Sequence, residues 1–221
     1  MFEHIAHNPI TRTVKRKVID GKRHYVDFED NIYYSVTQVT DTVGDKKGLE
    51  VWRKKVGEDV ANYVMREARN NGTRLHSLCE DYLYNKDLKF KDILSKGLFE
   101  NIKPSLEVIN QVRGLEVQMC SPRMGVAGTA DCIAEYNGEL AVIDFKTTSK
   151  KKPEDWILNY FIQSTIYAMM WEENTGEEIP WIIIIFTGKD MSNDVYIKKT
   201  ADYKEQAMEI IAKFRLEHDT L

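Results

Sequence analysis

The sequence predicts a single α/β domain, a mixed β-sheet with helices on both faces. Three observations carry this. Asn137-Gly138 sits between two strand-compatible runs, Ala127 to Tyr136 and Glu139 to Thr147, the strongest short-range signal for a β-hairpin with a two-residue turn. Trp181 to Phe186 is an unbroken apolar run of strand length, as expected of a strand covered on both sides. Segments with helical periodicity fall before, between and after these strands, which supplies cover for both faces.

At 221 residues the chain can bury one sizeable core, and no Pro/Gly/Ser-rich stretch divides it. Within the domain 1–221, residues 1–34 read as a basic N-terminal hairpin extension, 35–114 as a helical part and 115–221 as the sheet core. The longest apolar run is far too short to cross a bilayer, so a soluble protein with no membrane partner is expected. Met1 to Asn8 lacks the apolar core of a secretory signal. Three scattered cysteines, Cys79, Cys120 and Cys132, argue against a disulfide framework and against a four-cysteine zinc or iron–sulfur site, and favour a reducing, intracellular setting. A net charge of -4 neither predicts nor excludes a polyanionic partner, because local patches decide binding.

The elements follow in order. Thr13 to Ile19 and Arg23 to Phe28 flank Asp20-Gly21 as a basic edge hairpin; its charges read equally as edge protection or as contacts to a nucleic-acid backbone. Ser35 and Gln38 have the spacing of a capping box opening a helix. From Leu49 to Ala68, apolar residues recur at three- and four-residue steps; Trp52 and Tyr63 there read as core, with stacking on unpaired bases as the alternative. Asn71-Gly72 breaks the pattern and Thr73 caps a new helix to about Tyr84, on which His76 and Glu80 share a face. Phe90 to Val112 reads as one or two helices broken near Pro104, and Leu115 to Cys120 as a strand, followed by a turn at Ser121 to Gly125. A helix from about Pro153 to Trp171 puts Gln163 and Tyr167 on one face, Asp194 to Lys199 reads as an outer strand, and Tyr203 to Glu217 closes the chain as an amphipathic helix.

Counting outward from the Asn137-Gly138 turn pairs Tyr136 with Glu139, Ile133 with Val142 and Cys132 with Ile143. Continued, the count pairs Asp131 with Asp144, Ala130 with Phe145 and Thr129 with Lys146. Alternation then gathers Thr129, Asp131, Asp144 and Lys146 on one face and Ala130, Cys132, Ile143 and Phe145 on the other. Two carboxylates directly opposite repel. A divalent cation with hard oxygen ligands, Mg²⁺ or Mn²⁺, offsets that repulsion, and with a lysine alongside the set suits phosphodiester hydrolysis. A lysine near bound metal has its pKa depressed, so Lys146 reads as a base, a water-orienting group or a charge stabiliser, against the bland alternative of a surface ion pair.

Gly128-Thr129-Ala130-Asp131, Asp144-Phe145-Lys146-Thr147-Thr148 and Gln163 to Tyr167, preceded by Gly72 to His76 and Glu80, together resemble the PD-(D/E)XK nuclease superfamily in its RecB-like branch. Within that branch the likeness is to the mitochondrial genome maintenance exonuclease type and related phage exonucleases. The resemblance implies a restriction-endonuclease-like core and a metal-dependent DNA exonuclease of repair or recombination, preferring single strands or free ends; if phage-encoded, it would work in the host cytoplasm. It implies His76, Asp131, Asp144 and the Phe145 carbonyl as ligands of Mg²⁺ or Mn²⁺, Lys146 as the catalytic lysine, and Gln163 and Tyr167 as groups lining the site. Glu80, Glu116, Thr129, Thr147 and Lys150 are further positions for lining it or binding substrate. Ala130 stands where the superfamily's name has proline, and the cysteines required by its iron–sulfur members are missing. A structure-specific or restriction-type endonuclease on the same site, and a non-catalytic nucleic-acid-binding module, are the competing readings.

Overall fold

Eight strands join in one mixed sheet in the computed structural model, which describes residues 1–7, 10–43 and 46–218. β1 (Val14–Ile19) and β2 (Lys22–Asp27) form the basic hairpin about Asp20-Gly21, and β3 (Ile32–Ser35) pairs antiparallel with β2. Four helices follow: α1 (Val36–Thr40), α2 (Lys46–Val56), α3 (Glu58–Leu83) and α4 (Ile93–Leu106). β4 (Ile109–Ser121), β5 (Val126–Tyr136) and β6 (Glu139–Thr148) are antiparallel neighbours. α5 (Leu158–Thr175) crosses over to β7 (Trp181–Gly188), which lies parallel to β6; β8 (Asn193–Lys199) and α6 (Lys204–His218) complete the order. A parallel neighbour needs a crossover of this length, and a helix is its usual form.

Two apolar layers sandwich the sheet, as the sequence predicts. Val36 and Val39 of α1, Phe161 to Trp171 of α5 and Ala207, Ile211 and Phe214 of α6 pack on one face. Leu75 to Leu83 of α3 and Leu98 to Leu106 of α4 pack on the other. In β7, Ile182, Ile184 and Phe186 enter the first layer and Ile183 and Ile185 the second, so the apolar run is buried on both sides.

β5 organises the sheet. β4 runs along one of its edges, and the other edge is shared: β3 pairs in parallel at Val126 and Ala127, while β6 pairs from Cys132 to Tyr136. Residues 128–131 fall between these two partners and pair with neither, so β3 and β6 diverge there as a fork. A second irregularity lies across from it. Leu115 and Cys132, a paired couple, enter the layer under α3 and α4, whereas the next couple, Val117 and Ala130, enter the layer under α5. Simple alternation would keep positions two apart on one face. Glu116, with φ of 50°, is where the exchange of faces occurs.

Several expectations are corrected. The hairpin pairs as counted for five couples and no further; Asp131 with Asp144, Ala130 with Phe145 and Thr129 with Lys146 are not ladder pairs, because the strands part at the fork. Ala130 and Cys132 do not share a face, for the reason just given. Asn71-Gly72 does not break a helix: Asn71 is buried inside α3, and the break falls at Gly57, whose φ of 85° ends α2. Tyr63 is exposed rather than core, and Trp52 is only half-buried. Pro104 is accommodated in the last turn of α4, and Ile109 to Val112 belong to β4 rather than to a helix. Ser35 makes no side-chain cap bond; Gln38 Nε2 donates instead to the Arg23 carbonyl at 2.7 Å, and the capping box belongs to Asp92 and Ser95 on α4. The basic hairpin is no appendage, being joined through β3 to β5 in the same sheet.

Candidate active site

The fork opens into a cleft of about 800 Å³. Its floor carries Thr129 and Asp131 of β5, Asp144 and Lys146 of β6, and Glu116 of β4. His76 and Glu80 of α3 form one wall, and Gln163 and Tyr167 of α5 another. Nine of the residues singled out in the sequence therefore converge on one cavity. Thr147 and Lys150 do not line it: Thr147 lies against Gly72 of α3, and Lys150 exchanges hydrogen bonds with Thr148 in the loop after β6.

Asp131 holds the fork open. Its Oδ2 accepts the backbone N–H of Phe145 at 2.9 Å, a donor that a continuing ladder would have used, and its Oδ1 faces His76 Nδ1 at 3.4 Å. The helix above is oriented by packing: Leu75, Leu78 and Cys79 are buried, which turns His76 toward the sheet, edge-on to the Phe145 ring at 6.3 Å. Donor atoms of His76, Glu116 and Asp131 all lie within 4.8 Å of one another. On the far side of the fork, Asp144 is buried and its carboxylate forms an ion pair with Lys146. The oxygen that meets the Lys146 ammonium is Asp144 Oδ2. The Lys146 ammonium also sits over the Tyr160 ring, 5.2 Å from its centroid.

The electrostatics separate the two aspartates. Burial pushes both carboxyls up, but at Asp131 the charges of His76 and Lys146 outweigh it and hold the carboxyl below the usual carboxylate range. At Asp144 burial, with the repulsion of Asp131, prevails over the lysine and holds the carboxyl above the usual carboxylate range. Burial pulls His76 down, yet the adjacent Asp131 carries it to about 9. Burial lowers Lys146, but Asp144 and Asp131 more than compensate and raise its pKa. Glu116 is raised by desolvation and by the charge of Asp131.

The buried Asp144 carboxylate, beside the imidazole of His76 and the carboxylates of Glu116 and Asp131, makes a donor set that fits a hard divalent cation. Glu116 is more central to that donor set than the hairpin count implied. Tyr167 is seated by Gly128, where a Cβ would lie 2.7 Å from the ring, and its hydroxyl accepts from Gln163 Nε2 at 3.1 Å. Sequence reading missed Tyr160, although stepping back three residues along the Gln163 face of the helix reaches it. It also left Arg16, Arg23 and Tyr25 without an assigned place, and all three line the cleft.

A sheet that forks around two carboxylates and a lysine, between helical layers, is the frame of a nuclease of the PD-(D/E)XK class. The profile of the PD-(D/E)XK nuclease superfamily matches residues 54–217, and the chain belongs to that superfamily, whose members use divalent metal ions. Its relatives include mitochondrial genome maintenance exonuclease 1 of Homo sapiens, 32% identical over 150 residues that make up 63% of this chain and 42% of that protein. The Xenopus tropicalis protein of the same name is 28% identical over 155 residues, 65% of this chain and 44% of its own. The chain thus spans less than half the length of these curated relatives. A crystal structure of an exonuclease candidate from Eubacterium rectale aligns with a TM-score of 0.48 and 18% identity, covering 70% of this chain and 68% of that one. Among the described residues no helix is long and apolar enough to cross a membrane.

Proposed function

We propose that the chain is a Mg²⁺- or Mn²⁺-dependent deoxyribonuclease that degrades DNA from its ends and prefers single strands. The convergence of His76, Glu116 and Asp131 donor atoms within 4.8 Å, beside the Asp144 and Lys146 pair, is the observation that carries this reading. The exonuclease names of the vertebrate relatives support the end preference.

His76, Glu116, Asp131 and Asp144 would hold the cation, with the Phe145 carbonyl as a further ligand. When bound, the cation supplies charge stabilisation at the phosphate and acidifies water. Asp131 keeps Oδ1 available because Oδ2 is committed to the Phe145 N–H. His76 must give up the proton that Asp131 stabilises before its nitrogen can serve as a ligand. Lys146 retains its proton at Nζ, steadied by Asp144 and the Tyr160 ring, and meets the negative charge that builds on the phosphate. Gln163 and Tyr167, joined to each other, line the path of the substrate backbone.

The test compares linear with covalently closed circular single-stranded DNA of the same sequence, in Mg²⁺ or Mn²⁺ and in EDTA. Metal-dependent loss of the linear form with intact circles is the expected result. Cleavage of circles would make the enzyme an endonuclease, and binding without cleavage of either would leave a non-catalytic module.

A further inference from the structure

We propose that one face of the β1–β2 hairpin binds the phosphates of the DNA strand entering the cleft, with Arg16 and Arg23 as its two contacts. This rests on the nuclease reading above and adds a substrate-binding surface to it. The hairpin lies outside the residues 54–217 matched by the superfamily.

The turn at Asp20-Gly21 sets the register, with Arg16 opposite Tyr25 and Val18 opposite Arg23. Alternation therefore puts Arg16, Arg23 and Tyr25 on one face and Lys15, Lys17 and Lys22 on the other. The first three line the cleft and the three lysines do not. Both arginines are exposed, and neither has an ion-pair partner among the described residues. Arg12 is neutralised by Asp27 and Glu29, Arg53 by Glu58, Arg74 by Asp92 and Arg113 by Glu135 and Glu177, while Arg66 and Arg69, exposed and likewise without an ion pair among the described residues, do not line the cleft. Protection of a sheet edge needs charge on the strand but is indifferent to its face, and Lys15 and Lys17 meet that need. Two unpaired guanidiniums turned toward a cleft floored by Glu116, Asp131 and Asp144 have a different use. A polyanion approaching that floor is repelled unless cationic groups meet it at the rim.

The face is also held in place. The Tyr25 ring is buried against Val14, Tyr33, Cys120 and Ala127, and its hydroxyl shares a hydrogen bond of 3.3 Å with Thr129 Oγ1, two residues before Asp131. Gln38 Nε2 fixes the Arg23 carbonyl to α1. The distance from arginines to fork is thereby set by the sheet, as a strand with evenly spaced phosphates requires.

The test uses the full chain and a fluorescein-labelled 20-nucleotide oligo(dT), with degradation in Mg²⁺ followed across a salt series. In the double variant Arg16→Gln/Arg23→Gln, KM should rise on the order of tenfold and the salt slope of kcat/KM should shrink by about 1.4, from two contacts on a single strand. Maximal rate, and hydrolysis of bis(p-nitrophenyl) phosphate, which is too small to reach the hairpin, should not change. Arg16→Lys/Arg23→Lys should keep the slope, and Lys15→Gln/Lys17→Gln should behave as wild type. An arginine pair variant indistinguishable from wild type, or a lysine pair variant equally impaired, overturns the proposal while leaving the nuclease reading intact. A wild-type chain that degrades no DNA removes the nuclease reading, and the phosphate contacts with it.

Discussion

The two halves of the β5–β6 hairpin are built from the same kind of strand and end differently. Near the Asn137-Gly138 turn, five couples are zipped, from Tyr136 with Glu139 to Cys132 with Ile143, and their small and apolar side chains fill both layers. Beyond Cys132 the ladder stops, and a carboxylate takes the place of the next backbone acceptor: Asp131 Oδ2 receives the Phe145 N–H. The zipped half is stabilised by what surrounds it. The open half keeps charged groups that burial disfavours, and it keeps them because each is answered by another: Asp131 by His76, Asp144 by Lys146. Stability and chemistry are thus divided along one hairpin, and substitutions in the two halves should separate them.

The largest separation is expected at Lys146. In Lys146→Ala the rate of DNA degradation should fall by about 10²–10³-fold, the scale for removing a preorganised charge stabiliser. The circular dichroism spectrum should be that of wild type, because Lys146 contributes to neither apolar layer. A variant that retains wild-type rate would show that the open half is not where the chemistry occurs.

The next effect concerns protons. Burial raises the Asp144 carboxyl above the usual carboxylate range, and Asp131 carries the His76 imidazole to about 9 against the pull of burial. A cation needs Asp144 ionised and His76 neutral, so its binding drives off a proton while His76 is protonated, and affinity should rise with pH up to about 9. Titration calorimetry of Mn²⁺ at pH 6 and pH 8, in buffers of different ionisation enthalpy, should register roughly one proton released per ion and on the order of tenfold tighter binding per pH unit while His76 is protonated. Binding independent of pH would remove His76 from the ligand set.

Much of this arrangement is legible in the letters, and the limits have physical causes. The turn dipeptide determines register, so every couple as far as Cys132 with Ile143 could be counted. The count fails where a side chain competes with the backbone for a donor, since periodicity carries no information about which carboxylate will capture which N–H. Glu116 is hard to place for a related reason. Its φ of 50° exchanges the faces of β4, and glutamate gives no hint of a left-handed conformation as glycine or asparagine would. His76 and Glu80 could be put on one face of a helix, but their meeting with β5 depends on how α3 docks, which is a tertiary fact. Asn71-Gly72 misled because local turn preference is weak against burial, and Asn71 is buried within α3. The face of the basic hairpin was available from the Asp20-Gly21 turn by the same counting that served for Asn137-Gly138; what the letters lacked was which way the cleft lay.

Two glycines of β5 and its turn give a finer form of the comparison. Gly128, in the open half, has ordinary backbone angles, but a Cβ there would lie 2.7 Å from Tyr167 Cε1 and 3.1 Å from its hydroxyl. Gly128→Ala must therefore push the Tyr167 ring, which is held by Gln163 and packed in the first layer. Overpacking of this kind costs about 1–3 kcal/mol. Thermal melts should report that loss, and kcat/KM should fall as well, because the displaced ring lines the cleft.

Gly138 is the converse case. Nothing lies within 4 Å of a Cβ built there, but its φ is 85°, in the left-handed region where a side chain is strained. Gly138→Ala should cost about 1–2 kcal/mol through backbone conformation alone. The cost should appear as a lower melting temperature, with kcat, KM and metal affinity unaltered, since the five zipped couples stand between the turn and the fork. If instead the activity of the folded variant falls in step with its stability, the two halves are mechanically coupled and the division drawn between them is wrong. If Gly128→Ala loses activity and Gly138→Ala does not, at comparable cost in stability, the fork is a site held by its own contacts rather than by the integrity of the hairpin as a whole.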